Sequence, residues 1–200
     1  VGTCSTSSTA WGNGATGKFN YSLNFDDTDD YVSIPDPTSG ILDFGTSDFS
    51  LSVWTYRTSN SGTDIMIGKR VYPPGYIIYY SGTSLVMQVN DASAHSYTLG
   101  TLSDTNTWHL ITTVIKRSTN QLLYYLDGKL KNTIDISATT GSVDNAGYFG
   151  IGRDQSDGTS LFPGKIDDVQ VFNYALTAPQ VKTLMNQGGA VRFGPSTGTP

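Results

Sequence analysis

From Phe19 onward, apolar and polar positions alternate in short runs separated by turn-forming residues. "YSLNF" reads as a strand with Leu23 and Phe25 on one face, "DDTDD" as a turn, and "YVSIP" as the return strand, ended by Pro35. "FSLSVWTY" alternates strictly: Phe49, Leu51 and Val53 face one way, Ser50 and Ser52 the other. "DIMIGKR" continues the pattern, and "GYIIYY" and "SLVMQV" flank "SGT", read as a three-residue hairpin loop. "HSYTLG" is a shorter strand. "WHLITTVIK" follows, then "QLLYYLDGKLKN", in which Asp127-Gly128 is the strongest hairpin signal in the chain. "YFGIGR" and "KIDDVQVFN" complete the series. About a dozen strands at intervals of roughly 8–12 residues predict a β-sandwich or barrel. One helix is predicted, over Thr177–Asn186. Thr177 and Gln180 form a capping-box pattern, Pro179 sits in the first turn, and Val181, Leu184 and Met185 share a face.

Residues 1–18 are small and polar and read as a lead-in tied down by Trp11, 19–188 as the folded domain, and 189–200 as a Gly/Pro/Ser/Thr linker tail to another module. The length of 200 residues suits one all-β domain with a real core. No apolar run approaches the roughly 18 residues that span a bilayer, so no membrane insertion is expected. The first residues show no signal-peptide pattern, which reads as a mature fragment or a cytosolic chain. Cys4 is the single cysteine, which excludes an internal disulfide and a multi-cysteine zinc site. It reads as a free thiol in a tail or as a bond to a neighbouring module.

All 17 acidic residues are aspartate, and the net charge is −5. No Lys/Arg stripe exists to replace phosphate counterions, so nucleic acid is not an expected partner. Lys69-Arg70 and Lys116-Arg117 read as solvated strand ends.

The ordered series "SLNFDDTDDYVSIP", "FSLSVWTY", "GYIIYYSGTSLVMQV", "NTWHLITTVIK", "LLYYLDGKL", "YFGIGR" and "FPGKIDDVQVFNYALTAPQVKTLM" resembles the LamG-like (laminin G / concanavalin A-like) jelly-roll domains over about Ser22–Met185. The resemblance implies an all-β concanavalin A-like jelly-roll sandwich of two antiparallel sheets, with one short C-terminal helix. It also implies, for many members, a calcium ion and a carbohydrate-binding or adhesive role. The family's usual first turn is Phe-Asp-Gly; here Asp27 stands in the glycine position.

Asp26, Asp27, Asp29 and Asp30 crowd one turn, and Asp167-Asp168 open the last strand. In "IDDVQV", Asp167 shares a face with Val169 and Val171, where a carboxylate is costly unless paired or coordinated. Terminal strands lie together in jelly-roll relatives. A calcium ion held by Asp26, Asp30 and Asp167 would then complete its 6–8 oxygens from main-chain carbonyls. The alternative is that Asp26 and Asp30 bond turn backbone, while Asp167 pairs with a Lys or Arg. "DQSDGTS", residues 154–160, is a second oxygen-rich loop, read as a solvated turn with a metal loop as the alternative.

Glucanases of the concanavalin-like fold use a glutamate pair in an E-x-D-x-x-E pattern, about 5–5.5 Å apart for retention. The chain has no glutamate, and Asp167 and Asp168 as neighbours in a strand point to opposite faces. His95 and His109 are too few for a histidine metal site, and no nucleophile elbow or phosphate loop occurs. The expectation is therefore no enzyme. For binding, Tyr72, Tyr76 and Tyr79 with Gln88 and Asn90 read as an exposed aromatic and polar patch suited to sugar, with Arg70 and Asp91 as companions. The alternative is that several of these tyrosines are simply packed strand residues. The expected protein is a non-catalytic, calcium-holding, glycan-binding or adhesion module of an extracellular or cell-surface protein, with other modules of the same chain as partners. A self-associating spacer without a sugar pocket, in the manner of pentraxin relatives, is the second expectation.

Overall fold

The computed structural model describes residues 16–156 and 158–186. The stretch with Cys4 and Trp11 and the tail 189–200 lie outside the described residues. In chain order the strands are β1 (Leu23–Asp26), β2 (Val32–Ile34), β3 (Phe49–Arg57), β4 (Thr63–Arg70), β5 (Gly75–Ser81), β6 (Ser84–Asn90), β7 (Ser96–Thr101), β8 (Trp108–Lys116), β9 (Gln121–Leu126), β10 (Lys129–Asp135), β11 (Phe149–Ile151) and β12 (Pro163–Phe172). The helix α1 spans Ala178–Met185. Two six-stranded antiparallel sheets form, in the orders β1-β12-β3-β8-β9-β10 and β2-β11-β4-β5-β6-β7.

Alternation explains how the two sheets meet. Phe49, Leu51 and Val53 of β3 face Met66, Ile78, Tyr80 and Met87 of the other sheet across one buried core. Ser50 and Ser52 point the other way, yet both are buried. Ser50 Oγ donates to the Tyr174 carbonyl and accepts from the Leu176 amide, so the segment after β12 is pinned to the back of β3. That segment delivers α1. Its capping box is formed: Gln180 N donates to the Thr177 hydroxyl, and the Gln180 side chain accepts from Thr177 N. Val181 and Leu184 then pack with Leu176 on Trp54, Leu110, Val114 and Tyr125. The outer face of the first sheet is thereby shut.

Two turns behave as the residues at them dictate. Asp127 and Gly128 both adopt positive φ, 51° and 70°, which closes the β9–β10 hairpin as a two-residue turn. Ser81 pairs with Ser84, so the β5–β6 loop holds two residues, Gly82 and Thr83, and not the three expected.

One topological expectation fails. β1 belongs to the first sheet and β2 to the second, so the acidic turn is not a hairpin. It carries the chain across the edge of the sandwich from one sheet to the other. Asp27 takes φ 64° there, in the left-handed region that favours glycine.

Candidate functional site

At the crossing turn, Asp26 Oδ1 accepts from the Thr28 amide at 2.9 Å, the Asx arrangement expected of a turn aspartate. One oxygen each of Asp26, Asp29 and Asp30 lies within 4.8 Å of the others. Asp29 belongs to the acidic turn picked out from sequence but was not among the three residues expected to hold the ion. Its neighbours in the "DDTDD" run made any choice between them arbitrary.

Asp167 does not join this cluster. Asp26 is paired with Pro163, so Asp167 sits four positions further along β12, roughly 13 Å away at strand rise. The alternation argument for Asp167 also fails, for an identifiable reason. The pairing of β12 with β3 shifts register between Asp167 and Gln170, and Asp168 has φ 45°: a β-bulge. Ile166 before the bulge and Val169 and Val171 after it all pack on the core. Asp167 faces the opposite side, where its Oδ2 accepts from Phe19 N at 2.9 Å and its Oδ1 from Asp168 N at 2.8 Å. Both of its oxygens are thereby bonded to backbone amides.

The second candidate lies on the outer face of the second sheet. Ile78 and Tyr80 point into the core, and Ile77 and Tyr79 outward, as alternation requires. The same alternation puts Tyr76 with Ile78. Tyr76 is 0% exposed, packs at a tilt against Phe44 and Phe49, and donates to the Leu42 carbonyl. It is a core residue and not a surface one, and burial pushes its phenol pKa up. Tyr72 is 57% exposed, in the β4–β5 connection, with the Arg70 guanidinium 5.7 Å from its ring centre.

Gln88 is the hub of this face. Its Oε1 accepts from Arg70 Nη1 at 2.6 Å and from Asn90 Nδ2 at 3.1 Å. Its Nε2 donates to Ser96 Oγ at 3.0 Å and to Tyr79 Oη at 3.4 Å. Asn90 is fully buried and accepts from His95 N, so it supports the face from behind and does not reach the surface. Arg70 Nε donates to Asp154 Oδ2 at 2.6 Å, and its Nη2 pairs with the same carboxylate. Thr63, Ile65, Arg70, Ile77, Tyr79 and Gln88 line a hollow of about 250 Å³.

Arg70 and Asp154 depart from their sequence readings. Lys69 and Arg70 are not solvated: Lys69 is buried against Asp36, Asp43 and the Asn145 carbonyl. Asp154, in the loop read as solvated, is fully buried. The loop reaches it because Phe149 and Ile151 face the core, leaving Gly150 outward beneath the chain. A Cβ at Gly150 would overlap the Arg153 carbonyl. Nothing in a Gly/Ser/Asp-rich string announces an arginine partner 84 positions earlier.

Asp91 closes the network's far end. Burial raises its carboxyl, but amides of Gly141, Ser93 and Thr140 and the His95 ring more than reverse this and hold it well below the usual range. His109 lies elsewhere, at the β8 end, between Asp127 (2.9 Å) and Asp104 (2.7 Å). Burial lowers its pKa, and the two carboxylates raise it by more.

Two antiparallel sheets around one core, with one outer face shut by a helix and the other open and polar, define a jelly-roll sandwich. The chain belongs to the concanavalin A-like lectin/glucanases superfamily: a laminin-G family model with that description matches residues 26–182. No curated protein matches the sequence. Among solved structures, the chain is similar to the binding domain of Paraclostridial Mosquitocidal Protein 1 (TM-score 0.69, 16% identity, covering 86% of this chain and 45% of that one). It is also similar to the botulinum neurotoxin serotype G binding domain (0.67, 19%, 83% and 42%). A third is a heptameric SAP-like pentraxin from Limulus polyphemus (0.60, 17%, 82% and 85%). The chain thus spans less than half of either toxin binding domain, and these likenesses show the fold.

Proposed function

We propose that this domain is a non-catalytic recognition module of an extracellular or cell-surface protein that binds glycan on the open face of the second sheet. The observation that carries the reading is the hydrogen-bonded chain Asp154–Arg70–Gln88–Tyr79, in which the half-buried Tyr79 ring stands at the hollow. A sugar needs both a flat apolar contact and fixed donors and acceptors. Because the Arg70 charge is already matched by Asp154, the face suits a neutral glycan better than an acidic one. That toxin binding domains and a pentraxin share the fold supports recognition over turnover. On a glycan array, specific hits lost in Tyr79→Ala bear the reading out; hits that survive the substitution sink the assignment of the face.

Calcium at the crossing turn is part of the same proposal. Asp26, Asp29 and Asp30 supply hard oxygen donors, which suit calcium, and an ion there would brace the corner between the sheets. The expected result is a higher melting temperature in calcium than in chelator, diminished in Asp29→Asn. Superimposable melting curves remove the metal from the account. The second reading, a self-associating spacer, draws on the heptameric pentraxin. An array silent throughout, with concentration-dependent assembly in sedimentation, favours it.

A further inference from the structure

We propose a second, separate site: a cleft at the β1/β12 edge of the sandwich that takes a small amphipathic amine, an alkyl- or arylalkylammonium ion, with its apolar body inside and its cationic head at the mouth.

The cleft has a volume of about 470 Å³ and its walls are Leu23, Ile151, Ile166 and Val169. Small-molecule sites commonly occupy roughly 300–1,000 Å³ and combine an apolar lining with a few fixed polar groups. Ile166 and Ile151 belong to the core, and Leu23 and Val169 pack against it, so the cleft is a lateral opening into the space between the sheets. It lies away from the open face of the second sheet and shares no lining residue with it.

Three observations select the ligand. First, Ser22 lines the cleft, is 6% exposed, and its hydroxyl has no hydrogen-bond partner among the described residues. A buried hydroxyl left unmatched costs about 1–3 kcal/mol, a cost that a ligand N–H recovers. Second, the mouth carries Asp167 and Asp168, and neither is in an ion pair among the described residues. Their present partners are the Phe19 and Asp168 amides and the Gln170 side chain, all neutral. The neighbouring lysines lie on the outer face beside Asp167, Lys18 4.3 Å over the Trp54 ring and Lys165 5.3 Å over that of Tyr56, and neither is in an ion pair with Asp167 or Asp168 among the described residues. Third, Tyr21 stands 71% exposed at the rim, and an aromatic face attracts an ammonium ion. The bulge that re-aims Asp167 places Asp168 at this mouth in a conformation a non-glycine residue rarely takes.

The test is titration of the isotope-labelled protein with n-hexylamine, 1-hexanol and hexanoate at pH 7, followed by NMR. The expected result is saturable shifts of the Leu23, Ile151, Ile166 and Val169 methyls with the amine. The alcohol should bind at least about threefold more weakly, the scale of a partly exposed charge contact, and hexanoate more weakly still. Asp168→Asn should remove the preference for amine over alcohol, and Ser22→Ala should weaken both ligands. An amine that binds no better than the alcohol overturns the choice of ligand. Absence of saturable methyl shifts, or shifts centred on Tyr79 and Gln88, overturns the site. A wild-type preference that persists in Asp168→Asn, with the methyl spectrum otherwise unchanged, overturns the role of its carboxylate.

Discussion

The two outer faces of the sandwich answer the same problem in opposite ways. A sheet buries one side against its partner sheet and must do something with the other. The first sheet covers that side: Trp54, Leu110, Val114 and Tyr125 lie under α1 and the segment that leads to it. The second sheet leaves it open and fills it with a hydrogen-bonded row, Arg70, Gln88 and Ser96, around a small hollow. The covered face gains stability from apolar area. The open face has its polar groups already oriented by each other, which lowers the ordering cost of binding. On the proposed function, stability and recognition then rest on different faces.

That separation is open to measurement. The largest effect expected is Trp54→Ala, which removes the centre of the covered face and should cost about 3–5 kcal/mol in denaturant unfolding, with glycan binding unchanged in the folded fraction. If binding fell in step, the two faces would be coupled. Next, Tyr79→Ala should reduce glycan affinity at least about tenfold, near 1.4 kcal/mol, while leaving the unfolding midpoint close to wild type. A large stability loss with intact binding would reverse the roles. Thr177→Ala should cost about 1 kcal/mol by removing the cap of α1, with hydrogen exchange rising in the helix and not in β4–β6.

The smallest effect concerns neither face. His109 has a folded pKa above its usual 6.5. Its contribution to stability is therefore fully present below about pH 6.5 and is lost as pH rises through the raised value. Melting temperature should decline over that range in wild type, and the decline should flatten in His109→Gln. An unchanged pH profile in the variant would assign the slope to other groups.

What the sequence shows of this architecture divides along physical lines. Strands were legible because their side-chain period is two, and α1 because its cap is written in adjacent residues. Which strands become neighbours was not legible: β1 and β2 look like a hairpin and join different sheets. The period itself misleads at a bulge. One extra residue at Asp168 moved Asp167 off the face it seemed to share with Val169. At Tyr76 the period was informative, since it shares parity with Ile78 and Tyr80, and the patch reading passed over it. Of the open face, Tyr79 and Gln88 were identified from pattern. Asp154 was not, since its partner is distant in sequence and its burial is created by a loop folding over Gly150.

Phe19, before the first strand, and Met185, at the close of the helix, both pack on the covered side. A tether joined near either of them starts behind the molecule. Fixed close to a surface that way, the domain would present the Tyr79 side to its surroundings like a palm turned outward, whereas a long flexible tether would add reach and free the palm to turn.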